Sequence, residues 1–279
     1  MTSIFRLRLA LTALVLLGLV STASAQGIFP DKNLEAVVRQ YVFEKRNNDQ
    51  PIVEADVQNL SQIVGKGKKI ASLAGIEKCK SLLLVDLEDN EITDLAPLAD
   101  IKGIQFLSVA RNKITSIAPI EKLAAIQYLD ISHNQVSDLA PVGKLPAIVN
   151  LYASKNQVKD LSSIAPCTKL VSLYVDGNPL ENYSAVSSLK SLERIDLRGT
   201  GVSDLAPLAE LTELRYLLLS DNKITDLSVL LAMAKKDAEG PKRFSSFWRI
   251  YAANNPLSDA AKGAQVEELK KLGGRIELQ

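Results

Sequence analysis

Histidine and tryptophan each occur once in this chain of 279 residues, cysteine twice, and 33 basic side chains face 32 acidic ones. Each shortage excludes something. The lone imidazole, His133, has neither a second histidine for a catalytic pair nor cysteines beside it for a usual zinc site. Its place just before Asn134 marks it as a solvated turn residue. A net charge of +1 supplies no field for holding nucleic acid or an anionic membrane. With 11 prolines, 14 glycines and 47% hydrophobic residues the composition is globular, enough for one large domain or two small ones.

Long apolar runs are also scarce, and the clearest one opens the chain. MTSIFRLRLALTALVLLGLVSTASAQ has a basic start at Arg6 and Arg8, an apolar run from Leu9 to Val20, and Ala23-Ser24-Ala25 before Gln26. This is the pattern of a secretory signal peptide over residues 1–25, removed before Gln26. The run is short against the ~20 residues that span a bilayer, so no transmembrane segment is expected in the mature chain. The protein is expected to be exported, to the periplasm or outside the cell.

Most of the remaining chain repeats itself. LLLVDLEDN, IQFLSVARN, IQYLDISHN, IVNLYASKN, LVSLYVDGN, LERIDLRGT and LRYLLLSDN end at Asn90, Asn112, Asn134, Asn156, Asn178, Thr200 and Asn222, at a constant interval of 22. Upstream, Leu60, Ile63, Ile70, Leu73 and Ile76 keep the phase, with Lys68 in the asparagine position. Downstream, Asn255 follows Asn222 after 33 residues, which places an insertion, expected as a loop, near 232–246. A unit this short cannot bury its own apolar face, so units must stack into one continuous core. The asparagines can satisfy backbone groups where the chain leaves each strand, forming a ladder between units. Thr200 offers only a shorter hydroxyl to that ladder.

This pattern resembles the leucine-rich repeats of bacterial internalins, whose units are 22 residues long. The unit tails NEITDLAPLADI, NKITSIAPIEKL, NQVSDLAPVGKL and GVSDLAPLAEL carry the resemblance further. It implies an α/β fold: a right-handed horseshoe solenoid with a parallel sheet on its concave face and short helical turns on the convex face. Residues 57–257 are assigned to about nine repeats. Residues 26–56 are assigned to an N-terminal helical cap, with Leu34, Val37, Val38, Tyr41 and Val42 on one face and Asp31 as N-cap. Residues 258–279 are assigned to a C-terminal cap: a helix capped by Ser258 and ended by Gly273, followed by a RIEL strand.

Repeat phase also separates scaffold from function. Cys79 and Cys167 each occupy a position that is leucine or isoleucine elsewhere, four units apart. At the ~4.8 Å spacing of strands that is about 19 Å, beyond the ~7 Å limit for a disulfide, so both are expected as buried free thiols. GKGKK at 65–69 is the turn of the first repeat, lacking the spacing of a phosphate loop. Asp86, Asp130 and Asp196 share one strand position, but Asp86 and Asp130 lie roughly 10 Å apart, too far to share one calcium ion. Arg194 and Arg198 flank Asp196 and are expected to pair with it locally. No nucleophile, base and orienter assemble, so neither an enzyme nor a cofactor is expected.

Alternation along each strand sends two rows outward. One reads Leu84, Phe106, Tyr128, Asn150, Ser172, Arg194, Tyr216. The other reads Asp86, Ser108, Asp130, Tyr152, Tyr174, Asp196, Leu218 and then Tyr251. Phe106, Tyr128, Tyr152 and Tyr174 therefore form an aromatic diagonal, with Asp86, Asp130, Asp196, Arg194 and Tyr216 around it as a candidate partner-binding surface. Cross-strand aromatic pairs also stabilise a sheet without any ligand. The reading that follows is a monomeric recognition module that binds a protein or peptide on the concave sheet. The other is a structural or adhesion protein of the envelope, with glycan as a candidate ligand, using the caps or the convex side.

Overall fold

Three residues per strand is all the repeat allows, because the chain turns sharply one position before each ladder residue. Asp89, Arg111, His133, Lys155, Asp221 and Asn254 take the left-handed conformation there, with φ between 54° and 60°, and Gly177 and Gly199 do the same. A left-handed residue with a side chain costs roughly 1–2 kcal/mol. Part of that cost is offset by a backbone bond to the next unit, such as His133 N–H to Ser154 O at 2.8 Å.

The computed structural model describes residues 27–244 and 248–278. The signal peptide expected at 1–25 lies outside the described residues, as do residues 245 and 246 of the insertion. Ten parallel strands follow one another in chain order: β1 (Gln62–Val64), β2 (Leu84–Asp86), β3 (Phe106–Ser108), β4 (Tyr128–Asp130), β5 (Asn150–Tyr152), β6 (Ser172–Tyr174), β7 (Arg194–Asp196), β8 (Tyr216–Leu218), β9 (Arg249–Tyr251) and β10 (Arg275–Glu277). Short 3₁₀ turns return the chain on the far side, among them Ala96–Leu98, Ala118–Lys122 and Ala206–Leu208. The result is the horseshoe solenoid, an open parallel sheet on its concave side.

Between sheet and turns runs one apolar core. Each unit contributes the same set: in one unit Leu129, Ile131, Val136, Leu139 and Val142, all nearly or fully buried. Burying each such side chain contributes about 1.5–3 kcal/mol. Cys79 and Cys167 sit in this core as free thiols. Burial pushes the Cys79 thiol up to about 12, with the charge of Glu77 adding to it, and the Cys167 thiol up to about 11.

The asparagines tie one unit to the next. Asn134 Nδ2 donates to Val109 O of the preceding unit at 3.0 Å, while its Oδ1 accepts from Ile114 N at 3.0 Å. Asn112, Asn156 and Asn222 repeat this two-way link. Asn90 reaches Gly65 O and accepts from Ile70 N, and Asn178 reaches Ala153 O and accepts from Val158 N.

At the N-terminal end, α1 (Lys32–Arg39) buries Leu34, Val37 and Val38, and Asp31 caps it through the N–H groups of Asn33 and Leu34. The first strand would otherwise present free backbone groups, and Tyr41 Oη accepts the N–H of Val64 at 3.0 Å. A short helix, α2 (Glu54–Val57), leads into the repeats. The insertion is not simply a loop. Its first part belongs to a helix, α3 (Ser228–Glu239), which lengthens the turn of that unit to three turns of α-helix. Asp237 then accepts the backbone N–H groups of Arg243 and Phe244, both at 2.8 Å, and Phe244 stacks on the buried Trp248 at 4.4 Å. A π-helical turn at Ala261–Gln265 continues into α4 (Val266–Lys271), after which β10 closes the sheet order.

Candidate partner-binding surface

Parallel sheets are ordinarily covered on both faces. Here the core covers one face, and the register defines what the other presents. Along each strand the middle residue points inward: Val85, Leu107, Leu129, Leu151, Leu173, Ile195, Leu217 and Ile250 are all fully buried. The residues on either side of it form two outward rows, aligned strand by strand as Phe106↔Tyr128↔Asn150 and as Asp130↔Tyr152↔Tyr174.

Phe106 and Tyr128 stack with centroids 4.2 Å apart and planes 8° from parallel. The path crosses diagonally from Tyr128 to Tyr152 at 5.1 Å, then runs on to Tyr174 at 4.8 Å. All four rings are half-buried, each leaving part of its surface in the concavity. Burial raises the Tyr128 phenol to about 12 and pushes Tyr152 upward too, so both hydroxyls stay protonated at physiological pH. Each stacked pair adds about 0.5–1.5 kcal/mol beyond area burial.

The carboxylates of the outward row differ more than their shared position suggests. Asp196 is 0% exposed and lies under Arg198, whose Nη2 is 2.5 Å from Oδ2. Arg194, expected beside Asp196, instead holds its guanidinium carbon 5.2 Å from the centre of the Tyr216 ring. Asp86 is also buried and pairs with Lys66 at 3.0 Å. Neither carboxylate is an open rim group: side chains two residues on or one unit back cover them. Asp130 stands apart, half-buried, forming no ion pair among the described residues and accepting the N–H of Ser132 at 2.9 Å. Burial raises its carboxyl above the ordinary carboxylate value.

Beyond the insertion the first row continues with Arg249, whose guanidinium carbon lies 5.7 Å from the same Tyr216 ring, and then with Arg275. Counting back from Asn255 puts Arg249 on this row, as it puts Tyr251 on the other. His133 is exposed on its left-handed turn. Among the described residues no three His, Cys, Asp or Glu side chains come together as a metal site, and no helix is long and apolar enough to cross a membrane.

Comparisons with known proteins agree with this architecture. A family model described as leucine-rich repeats (2 copies) matches residues 102–144. An internalin, InlF, from Listeria monocytogenes is similar in structure, with 26% identity, 92% of this chain and 73% of that one covered, and a TM-score of 0.79. Internalin C2 from the same species has 26% identity over 90% of this chain and 95% of its own, with a TM-score of 0.62. The leucine-rich repeat ectodomain of the Arabidopsis thaliana receptor kinase GASSHO1/SCHENGEN3, in complex with Casparian strip integrity factor 2, shares the fold at 21% identity. It covers 81% of this chain and 28% of its own, with a TM-score of 0.62. No curated protein sequence matches the chain significantly.

Proposed function

We propose that this internalin-like bacterial leucine-rich repeat protein is an exported, non-enzymatic recognition module that holds a protein or peptide against its concave sheet. One observation carries the reading: Phe106, Tyr128, Tyr152 and Tyr174 form an unbroken half-buried stack on the uncovered face. Aromatic side chains bring large contact area at small entropic cost and are enriched at binding hot spots. A sheet needs no such continuous path for stability alone, since its core face already consists of buried valine, leucine and isoleucine side chains. Residues 26–56 and 258–279 serve as caps of the repeats at 57–257. The Arabidopsis ectodomain is a precedent for the architecture holding a partner, but that likeness is one of fold, so the reading rests on the surface of this chain.

Replacing Tyr128, Tyr152 and Tyr174 together by alanine tests it. The triple variant is expected to keep the circular dichroism spectrum of the parent and to lose partner capture. Capture that survives the triple change, but fails when part of 232–246 is removed, moves the binding site to the convex side.

A further inference from the structure

Most arginines in the described residues have a partner. Arg39 donates to Lys45 O, Asn48 O, Gln50 O and Glu35, and Arg198 grips Asp196. Arg111 meets Glu88 at 3.5 Å and Arg215 meets Glu193 at 3.9 Å. Three others stand on one outward row of the concave sheet: Arg194 on β7, Arg249 on β9 and Arg275 on β10. Among the described residues none of the three forms an ion pair or donates a side-chain hydrogen bond. The undescribed residues 245–247, next to Arg249 in sequence, are Ser, Ser and Phe and bring no carboxylate side chain.

Tyr216 lies between Arg194 and Arg249 in the register, with one guanidinium on each side at 5.2 and 5.7 Å from its centroid. A cation–π contact draws on the charge of a guanidinium and leaves the N–H donors along its edge free for another acceptor. That edge is a planar fork of donors, matched in shape to a carboxylate. We propose that Arg194, Tyr216 and Arg249 form a carboxylate-binding subsite that takes the aspartate or glutamate side chains of an acidic peptide segment.

This subsite deepens the concave-face reading and rests on it. The aromatic diagonal ends at Tyr174 on β6, and Arg194 stands on the next strand, so one extended peptide can cover both. The two arginines are two strands apart, roughly 10 Å, between the ~7 Å and ~13 Å that separate same-face side chains two and four positions apart in an extended chain. Acidic side chains two or four positions apart, on the face turned to the sheet, would meet both forks. A nucleic-acid strand is a poorer match, because the whole chain carries a net charge of only +1.

A display library of random dodecapeptides, selected at low salt, tests the subsite. It is run on the parent chain, on Arg194→Gln with Arg249→Gln, and on Tyr152→Ala with Tyr174→Ala. Peptides recovered on the parent and lost on the tyrosine variant are expected to be rich in Asp and Glu. On the glutamine variant that enrichment disappears, and synthetic copies of the acidic peptides bind about tenfold more weakly. Reversing both charges, Arg194→Glu with Arg249→Glu, turns the enrichment toward Lys and Arg, a gain that misfolding cannot imitate. Tyrosine-dependent peptides without acidic enrichment overturn the subsite and leave the concave-face reading standing. If no peptide depends on the tyrosines, both fall together. Displacement of the acidic peptides by equimolar oligothymidylate also overturns the subsite, assigning the arginines to phosphate.

Discussion

Thr200 N–H donates to Asn222 Oδ1 at 3.1 Å while its hydroxyl turns back to Leu197 O of its own unit at 2.6 Å, and that short reach interrupts the asparagine ladder between Asn178 and Asn222. Elsewhere the amide of the ladder residue also reaches a carbonyl 25 positions back, as Asn178 does to Ala153 O at 2.9 Å. Thr200 has no group to send to Val175 O, whose bond comes from Asn178 alone. Thr200→Asn is therefore expected to stabilise the protein by about 1 kcal/mol, the net worth of one recovered hydrogen bond. Asn156→Ala, which strips four bonds from buried or partly buried backbone groups, is expected to cost about 2–4 kcal/mol. Urea midpoints of the two variants check both signs. A destabilised Thr200→Asn contradicts the ladder account.

The two thiols make a second test. Their burial, and the raised values near 12 and 11, leave almost no accessible thiolate at pH 8. A thiol reagent such as dithionitrobenzoate is expected to modify neither cysteine in the folded protein and both in urea. Rapid modification without denaturant, or a disulfide between Cys79 and Cys167 in mass spectra, contradicts this arrangement.

Asp130 ties stability to binding. Burial raises its carboxyl in the folded state, so the folded protein keeps the proton to higher pH than the unfolded chain does. The contribution of Asp130 to stability is then greatest below the ordinary carboxylate value of 3.8 and falls as pH rises through the window up to the raised folded value. Above that window the penalty is constant. Asp130→Asn is expected to remove the penalty, melting higher at pH 7 and no higher at pH 3. Because Asp130 is a carboxylate beside the aromatic diagonal with no ion pair among the described residues, the same change is expected to weaken partner capture. Scanning calorimetry at both pH values, with a capture assay, checks the opposition. An unchanged melting temperature at pH 7 removes the argument for a desolvated carboxylate.

Periodicity made much of this architecture legible in the sequence. A fixed interval of 22 sets which residues are core, which face the concavity and which carry the turn, because stacking leaves each unit no freedom of its own. What it leaves open is local. Alternation says that Asp86 and Asp196 point outward, but not that Lys66 and Arg198 fold over them. The insertion shows in the sequence as a change of interval. An interval gives length and not conformation, so the helix at Ser228–Glu239 and the Phe244–Trp248 stack were hidden. Arg249 stands six before Asn255, where the phase puts an outward residue, but its approach to the Tyr216 ring is a side-chain matter that phase does not give. The left-handed turn is a backbone property shared by Asp, Arg, His, Lys, Asn and Gly, and so leaves no residue signature.

The central claim is that the aromatic stack touches the partner, and a photo-reactive benzophenone amino acid at position 152 tests it most directly. The control carries the same group at Lys122, an exposed residue in the convex turn Ala118–Lys122. Irradiation in extract of the organism that makes the protein is expected to give a discrete adduct from position 152, none from position 122, and less from 152 once Tyr174 is alanine. Equal adducts from both positions, or an adduct from 122 alone, would contradict a partner bound on the concave sheet.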